Sequence, residues 1–232
     1  MKKLFSLLVI LFLSSSCSEE VKFNNPGFQA LRDDVLWQGI DVNAYISDDG
    51  SLRIVALAED GDLELYTSDS EVGTYYLGST ANNGANYNYT LNGANINYST
   101  QNTFGPILNI SNLVLSNGLN YVAGNNIPTT STNGGSGMRV NTTVNENGEI
   151  TSVKISSPGS NYEAGDVITI TGGDGTAKFK ILSEIKITDF SNGTVTGSFK
   201  LTAKNLSPSN TGGELVNFQY GAFYKIPVQP EL

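Results

Sequence analysis

From Phe28 onward, apolar residues fall at every second position. Val42, Ala44 and Ile46 alternate with Asp41, Asn43 and Tyr45. Leu52, Ile54, Ala56 and Ala58 alternate with Arg53, Val55, Leu57 and Glu59, and the pattern resumes in Leu63–Thr67. A period of two sends successive side chains to opposite faces of a strand. Between these runs stand Asp48-Asp49-Gly50 and Glu59-Asp60-Gly61-Asp62, residue types that form tight turns. The clearest hairpin spans residues 86–99. Tyr87, Tyr89 and Leu91 alternate with Asn86, Asn88 and Thr90, Asn92-Gly93 suits a type I′ turn, and Ile96 and Tyr98 return on the apolar face. Ile185 and Ile187 lead to the turn Ser191-Asn192-Gly193, then Val195, Phe199 and Leu201 alternate again, and Leu215–Val228 closes the chain. No window of ten residues beyond the leader carries a helical period. The pattern predicts an all-β, antiparallel protein.

One region breaks the pattern. Residues 101–137 are rich in Asn, Ser, Thr and Gly and read as a long loop, least patterned over Asn117–Gly137. Residues 134–181 hold four strand-like runs, Met138–Val144, Ile150–Ile155, Val167–Ile170 and Ala177–Ile181. Asn147-Gly148 joins the first two, Pro158-Gly159 breaks the chain, and Gly172–Gly175 joins the last two. This block resembles a small β-module of phage virion and other surface proteins. The segments FQALRDDVLWQG, VGTYYLG and the Gly193–Pro227 pattern resemble an uncharacterised family of small Bacteroidetes-type lipoproteins, a domain of unknown function. That resemblance implies a β-sandwich-like host domain at 28–104 and 182–232, with 105–181 as an inserted loop and β-module. It supplies no catalytic residues.

The leader reads separately. Lys2 and Lys3 precede an apolar run, Leu4–Leu13, too short to span a bilayer and of signal-peptide length. Ser14, Ser15 and Ser16 lead into Cys17, the only cysteine. The order resembles a bacterial lipoprotein signal, which implies removal of residues 1–16, lipidation of Cys17 and a tether over 17–27. Ser18-Glu19-Glu20 resembles the acidic signal for the outer face of the outer membrane. The implied location is the bacterial outer membrane, on either its surface or its periplasmic side.

Charge and chemistry narrow the classes. The 232 residues carry 22 Asp+Glu against 13 Lys+Arg, a net charge of −9. This balance argues against nucleic acid and leaves membrane attachment to acyl chains, which anchor stably when more than one is present. There is no histidine, which removes Ser-His-Asp, Cys-His and histidine-ligated metal chemistry. No cofactor is expected. Asp48, Asp60, Asp62 and Asp174 are weak calcium candidates, because calcium takes hard oxygen ligands. Their simpler role is turn formation.

Three candidate surfaces remain. Tyr75, Tyr76, Tyr87, Tyr89, Tyr98, Tyr121 and Trp37 could form a platform for sugar rings, with Asn side chains on the hydroxyls, or could simply pack the sheet. Glu59, Asp60, Asp62, Glu64 and Asp69 could supply the two acids of a glycoside hydrolase. Tyr121 and Tyr162 are the expected contacts of the inserted module with a partner, since loops on a rigid scaffold carry recognition. The sequence therefore predicts a lipid-anchored, non-catalytic binding module for a glycan or a protein. The alternatives are a structural accessory of an outer-membrane complex and a small carbohydrate-active enzyme.

Overall fold

A computed structural model describes residues 27–78, 82–101, 116–163, 165–207 and 212–231. Among them there is no helix. Sixteen strands form two sheets.

The larger sheet takes eight strands from the first part of the chain: β1 (Gly27–Arg32), β2 (Val35–Gln38), β3 (Asp41–Ile46), β4 (Leu52–Ala58), β5 (Gly61–Thr67), β6 (Gly73–Tyr76), β7 (Gly84–Leu91) and β8 (Ala94–Ser99). Three more come from the end: β14 (Glu184–Ser191), β15 (Thr194–Asn205) and β16 (Leu215–Pro230). The predicted hairpins are present, and Asn92 and Gly93 both have the positive φ of a type I′ turn (52° and 82°). Asp33 and Asp34 make a similar turn between β1 and β2 (φ 48° and 67°). Short polar side chains tolerate this region, and Asp33 also accepts the Asn217 amide through Oδ1 at 2.9 Å.

The strands lie in two layers, β2-β1-β16-β15-β14-β6 and β3-β4-β5-β7-β8, joined at both corners by long strands. β16 pairs with β1 over residues 218–224. Its end, Val228–Pro230, then pairs in parallel with Ala44–Ile46 of β3. β15 pairs with β14 over residues 194–200, and Lys204 and Asn205 then pair with Ser99 and Tyr98 of β8. Because β15 and β16 also pair with each other, the circuit β16-β3-β4-β5-β7-β8-β15 closes. Register shifts along β15 and β16 accompany the bend. The architecture is sandwich-like, with both corners hydrogen-bonded.

The inward set of each alternating strand makes one core, including Phe28, Trp37, Ile54, Leu65, Tyr87, Phe199 and Phe218. Aromatic contacts cross the layers. Tyr87 of β7 meets Phe218 of β16 at 5.2 Å and Trp37 of β2 at 6.4 Å, both edge to face. Each such fully buried side chain contributes roughly 1.5–3 kcal/mol through burial. Trp37 Nε1 is buried there without a hydrogen-bond partner.

The smaller sheet has the order β11-β10-β9-β12-β13, from β9 (Gly124–Ser131), β10 (Ser136–Val144), β11 (Ile150–Ser160), β12 (Val167–Ile170) and β13 (Lys178–Lys180). Two expectations are corrected here. Residues 124–131, read as loop, form the central strand. Their polar composition hides it, because β9 changes partners midway: Gly124–Pro128 faces β10 and Thr129–Ser131 faces β12. Pro128 sits at the switch, where its missing N–H costs no ladder bond, and its carbonyl accepts the Thr171 amide at 3.1 Å. Pro158-Gly159 does not end a strand either, since β11 continues to Ser160. As an edge strand it tolerates a proline. This sheet has its own core of Tyr121, Met138, Val140, Ile150, Tyr162, Ile168, Phe179 and Ile181 among others.

Candidate functional site

Period two on β7 and β8 places Tyr87, Tyr89 and Tyr98 on the inward face, near one end of the sandwich. Their rings stack in a ladder, Tyr87 on Tyr89 at 5.6 Å and Tyr89 on Tyr98 at 6.2 Å. Tyr87 and Tyr98 are buried, whereas Tyr89 at the rim is half-buried. The opposite face of the same strands presents Asn88, Thr90, Asn95 and Asn97, with Asp62 of β5 directly across from Asn88.

The β4–β5 turn closes this end. The Tyr87 hydroxyl donates to the Asp60 carbonyl at 2.6 Å and accepts from Arg32 Nη1. Arg32 also pairs with the Asp60 carboxylate at 2.8 Å. Gly61 is required here: a Cβ would fall 2.6 Å from the Tyr87 hydroxyl and 2.7 Å from the Asn88 carbonyl. Burial pushes the Tyr87 phenol up to about 12, opposed by Arg32. Burial, reinforced by the Tyr89 hydroxyl, pushes Tyr98 upward as well. Tyr98 donates to the Gly212 carbonyl at 2.5 Å.

Two adjoining hollows result. One, of about 400 Å³, lies over the outer face and is lined by Ala58 to Asp62, Asn88, Tyr89, Thr90, Asn95 and Asn97. The other, of about 420 Å³, lies at the tyrosine ladder and is lined by residues including Arg32, Asp33, Tyr87, Tyr98 and Gly212. Glu59, Asp60, Tyr89 and Thr90 border both. These volumes fall in the range of small-ligand sites.

Part of the sequence-predicted set converges here. Tyr87, Tyr89 and Tyr98 meet Glu59, Asp60 and Asp62, which were separate candidates in the sequence. The others disperse. Trp37 is in the core. Tyr75 is buried, donating to Asp69 and to the Glu71 carbonyl. Tyr76 lies beneath Lys180. Glu64 turns outward to Arg53 and Asn86.

The expectation that Tyr121 and Tyr162 contact a partner is overturned. They are 5% and 0% exposed. Tyr121 donates to the Ile170 carbonyl at 3.1 Å and accepts the Ala177 amide at 3.2 Å, and Tyr162 accepts the Met138 amide at 3.2 Å. Their hydroxyls bind backbone inside the small sheet, so neither ring is available to a ligand.

The calcium candidates occupy separate turns, apart from Asp60 and Asp62. Asp48 lies in the β3–β4 turn. Asp174 accepts from the Thr176 amide and hydroxyl, which hold its carboxyl below the usual range. Among the described residues, no three carboxylates group to hold a metal ion. Cys17 lies outside the described residues. Arg32, Asp33 and Gly212 are groove residues that periodicity could not find, since they arrive from distant turns. Asn88, Asn95 and Asn97 were findable as the outward partners of the tyrosine hairpin.

Residues 24–124 match the model of a Domain of unknown function (DUF6252). The match covers β1 to β8 and nearly all the groove, but not β14 to β16, which complete the same sheet. No curated protein and no solved structure matches the chain.

Proposed function

We propose that this protein is a non-catalytic, glycan-binding module of the bacterial cell envelope, held to the outer membrane by a lipid on Cys17. One observation carries the binding part of the reading: the groove that straddles Tyr89. The half-buried Tyr89 leaves apolar ring surface at the rim, and the surrounding amides and carboxylates offer donors and acceptors for hydroxyls. That combination suits a sugar, which is apolar on its ring faces and polar around its edge. Binding without hydrolysis is favoured because Asp60 is engaged by Arg32, while Glu59 and Asp62 lie exposed on a turn and a sheet surface.

The anchor rests on the order of Lys2-Lys3, Leu4–Leu13, Ser14–Ser16 and Cys17. The smaller sheet, which resembles a phage-virion β-module, serves this reading as a rigid attachment beside the groove-bearing sandwich.

Two measurements test the two halves. Mass spectrometry of membrane-extracted protein should find an acylated Cys17 as the first residue, and Cys17→Ala should abolish it. An unmodified N-terminus elsewhere refutes the anchor. A glycan array probed with detergent-solubilised protein should give oligosaccharide signals that fall when Tyr89 is replaced by Ala. Signals indifferent to Tyr89 refute the groove.

A further inference from the structure

Two features of the groove narrow what it holds. The first is shape. Its two hollows, of about 400 and 420 Å³, share Tyr89, Thr90, Glu59 and Asp60 as a common border. The two hollows therefore adjoin across the hairpin edge at Tyr89 and Thr90, and a single sugar ring placed in one leaves the other unfilled. The second is charge. Asp33, Glu59, Asp60 and Asp62 line the groove. Arg32, the one cation among the lining residues, is already committed to Asp60 and to the Tyr87 hydroxyl. The wider field has the same sign: eleven of the 22 acidic residues fall between Asp33 and Glu71, with Arg53 as the only base in that span. Arg53 is itself paired to Glu64 and Glu231.

We infer that the groove takes a chain of at least two sugar rings bearing no carboxylate, sulfate or phosphate, one ring in each hollow across the border at Tyr89 and Thr90. The inference rests on the glycan reading above and deepens it. An acidic substituent in either hollow meets carboxylates with no uncommitted cation among the lining residues. One like-charge contact near 4 Å weakens binding by roughly fivefold even at the dielectric of bulk water, and by more where the pair is partly screened from it. Uncharged hydroxyls avoid that cost and can bond to the amides of Asn88, Asn95 and Asn97. An amino group is accepted too, since the carboxylates attract it, and that contribution fades with salt.

The test is an array of neutral, amino and acidic oligosaccharides, each series running from one ring to six, probed with the solubilised full-length protein at low and high salt. Binding should be confined to non-acidic chains of two rings or more. Asn88→Ala, at an exposed position, should lower affinity about tenfold without moving the melting temperature. Glu59→Gln with Asp62→Asn should raise the signal of the acidic series by a similar factor. Acidic chains among the best ligands, or single sugars bound as tightly as chains, overturn this inference while leaving glycan binding intact. The absence of any sugar-dependent signal overturns both.

Discussion

The two sheets use tyrosine in opposite ways. In the larger one, Tyr87, Tyr89 and Tyr98 climb from the core to the rim of the sandwich, where Tyr89 reaches a groove. In the smaller one, Tyr121 and Tyr162 are sealed in and their hydroxyls satisfy backbone groups of neighbouring strands. Glycines close around both rings. A Cβ at Gly135 would lie 2.1 Å from the Tyr162 ring, and one at Gly173 would lie 2.3 Å from the Tyr121 ring. A tyrosine is thus a structural pin where the backbone can wrap it and a surface element where a strand runs out of sandwich. The residue type does not decide which.

The largest effect should come from breaking the pins. Tyr162→Ala removes a fully buried aromatic and leaves the Met138 amide unsatisfied, at a cost of about 3–5 kcal/mol. The loss should be confined to the smaller sheet. The chain has one tryptophan, Trp37, and it lies in the larger core, so its emission follows that core alone. Hydrogen exchange should rise across residues 124–180 while the Trp37 transition stays in place. A Trp37 transition that moves equally would mean the two cores melt as one.

Alkaline pH should strike the larger sheet next. The folded state holds the protons of Tyr87 and Tyr98 more tightly than the unfolded chain does, because burial disfavours the phenolate. That stability is fully present below the ordinary tyrosine value near 10 and is lost as pH rises through about 12. Trp37-monitored melting should fall steeply in that window. Tyr87→Phe should flatten the fall while lowering stability at neutral pH by ~1 kcal/mol, for the hydroxyl bonds to Asp60 and Arg32. An unchanged alkaline limb would reject the assignment.

A smaller effect is expected from replacing residues 105–181 with a short Gly-Ser bridge. If the cores are independent, the Trp37 transition should remain cooperative within a few °C of the parent, since loop length enters stability only slowly. A broad, non-cooperative transition would show that the larger core needs the smaller sheet.

The smallest effect belongs to the chain end. Glu231 accepts hydrogen bonds from Ser47 and from Arg53, and these hold its carboxyl below the ordinary glutamate value. Its contribution is therefore present above that value and lost as pH falls through the lowered one. Glu231→Gln should soften the acid limb of the stability profile slightly and leave the alkaline limb untouched.

Much of this was legible in the sequence, for a definite reason. Strand alternation and turn chemistry are local. The spacing of Tyr87, Tyr89 and Leu91, and the positive φ demanded at Asn92-Gly93, are fixed by neighbours along the chain. So the hairpins of the larger sheet, the all-β class and the four apolar runs of the smaller sheet could be read directly. β9 could not, because its place in the sheet comes from β10 and β12 and not from its own apolar pattern. The inward burial of Tyr121 and Tyr162 was hidden in the same way: it depends on backbone groups 24 to 56 residues away closing over each ring. The groove is the clearest case. Composition supplied tyrosines, carboxylates and asparagines, and period two set which of them share a face. Only the closed circuit through β15 and β16 brought Arg32, Asp60 and Gly212 to one rim, because long-range pairing, unlike periodicity, leaves no mark in the local order of residues.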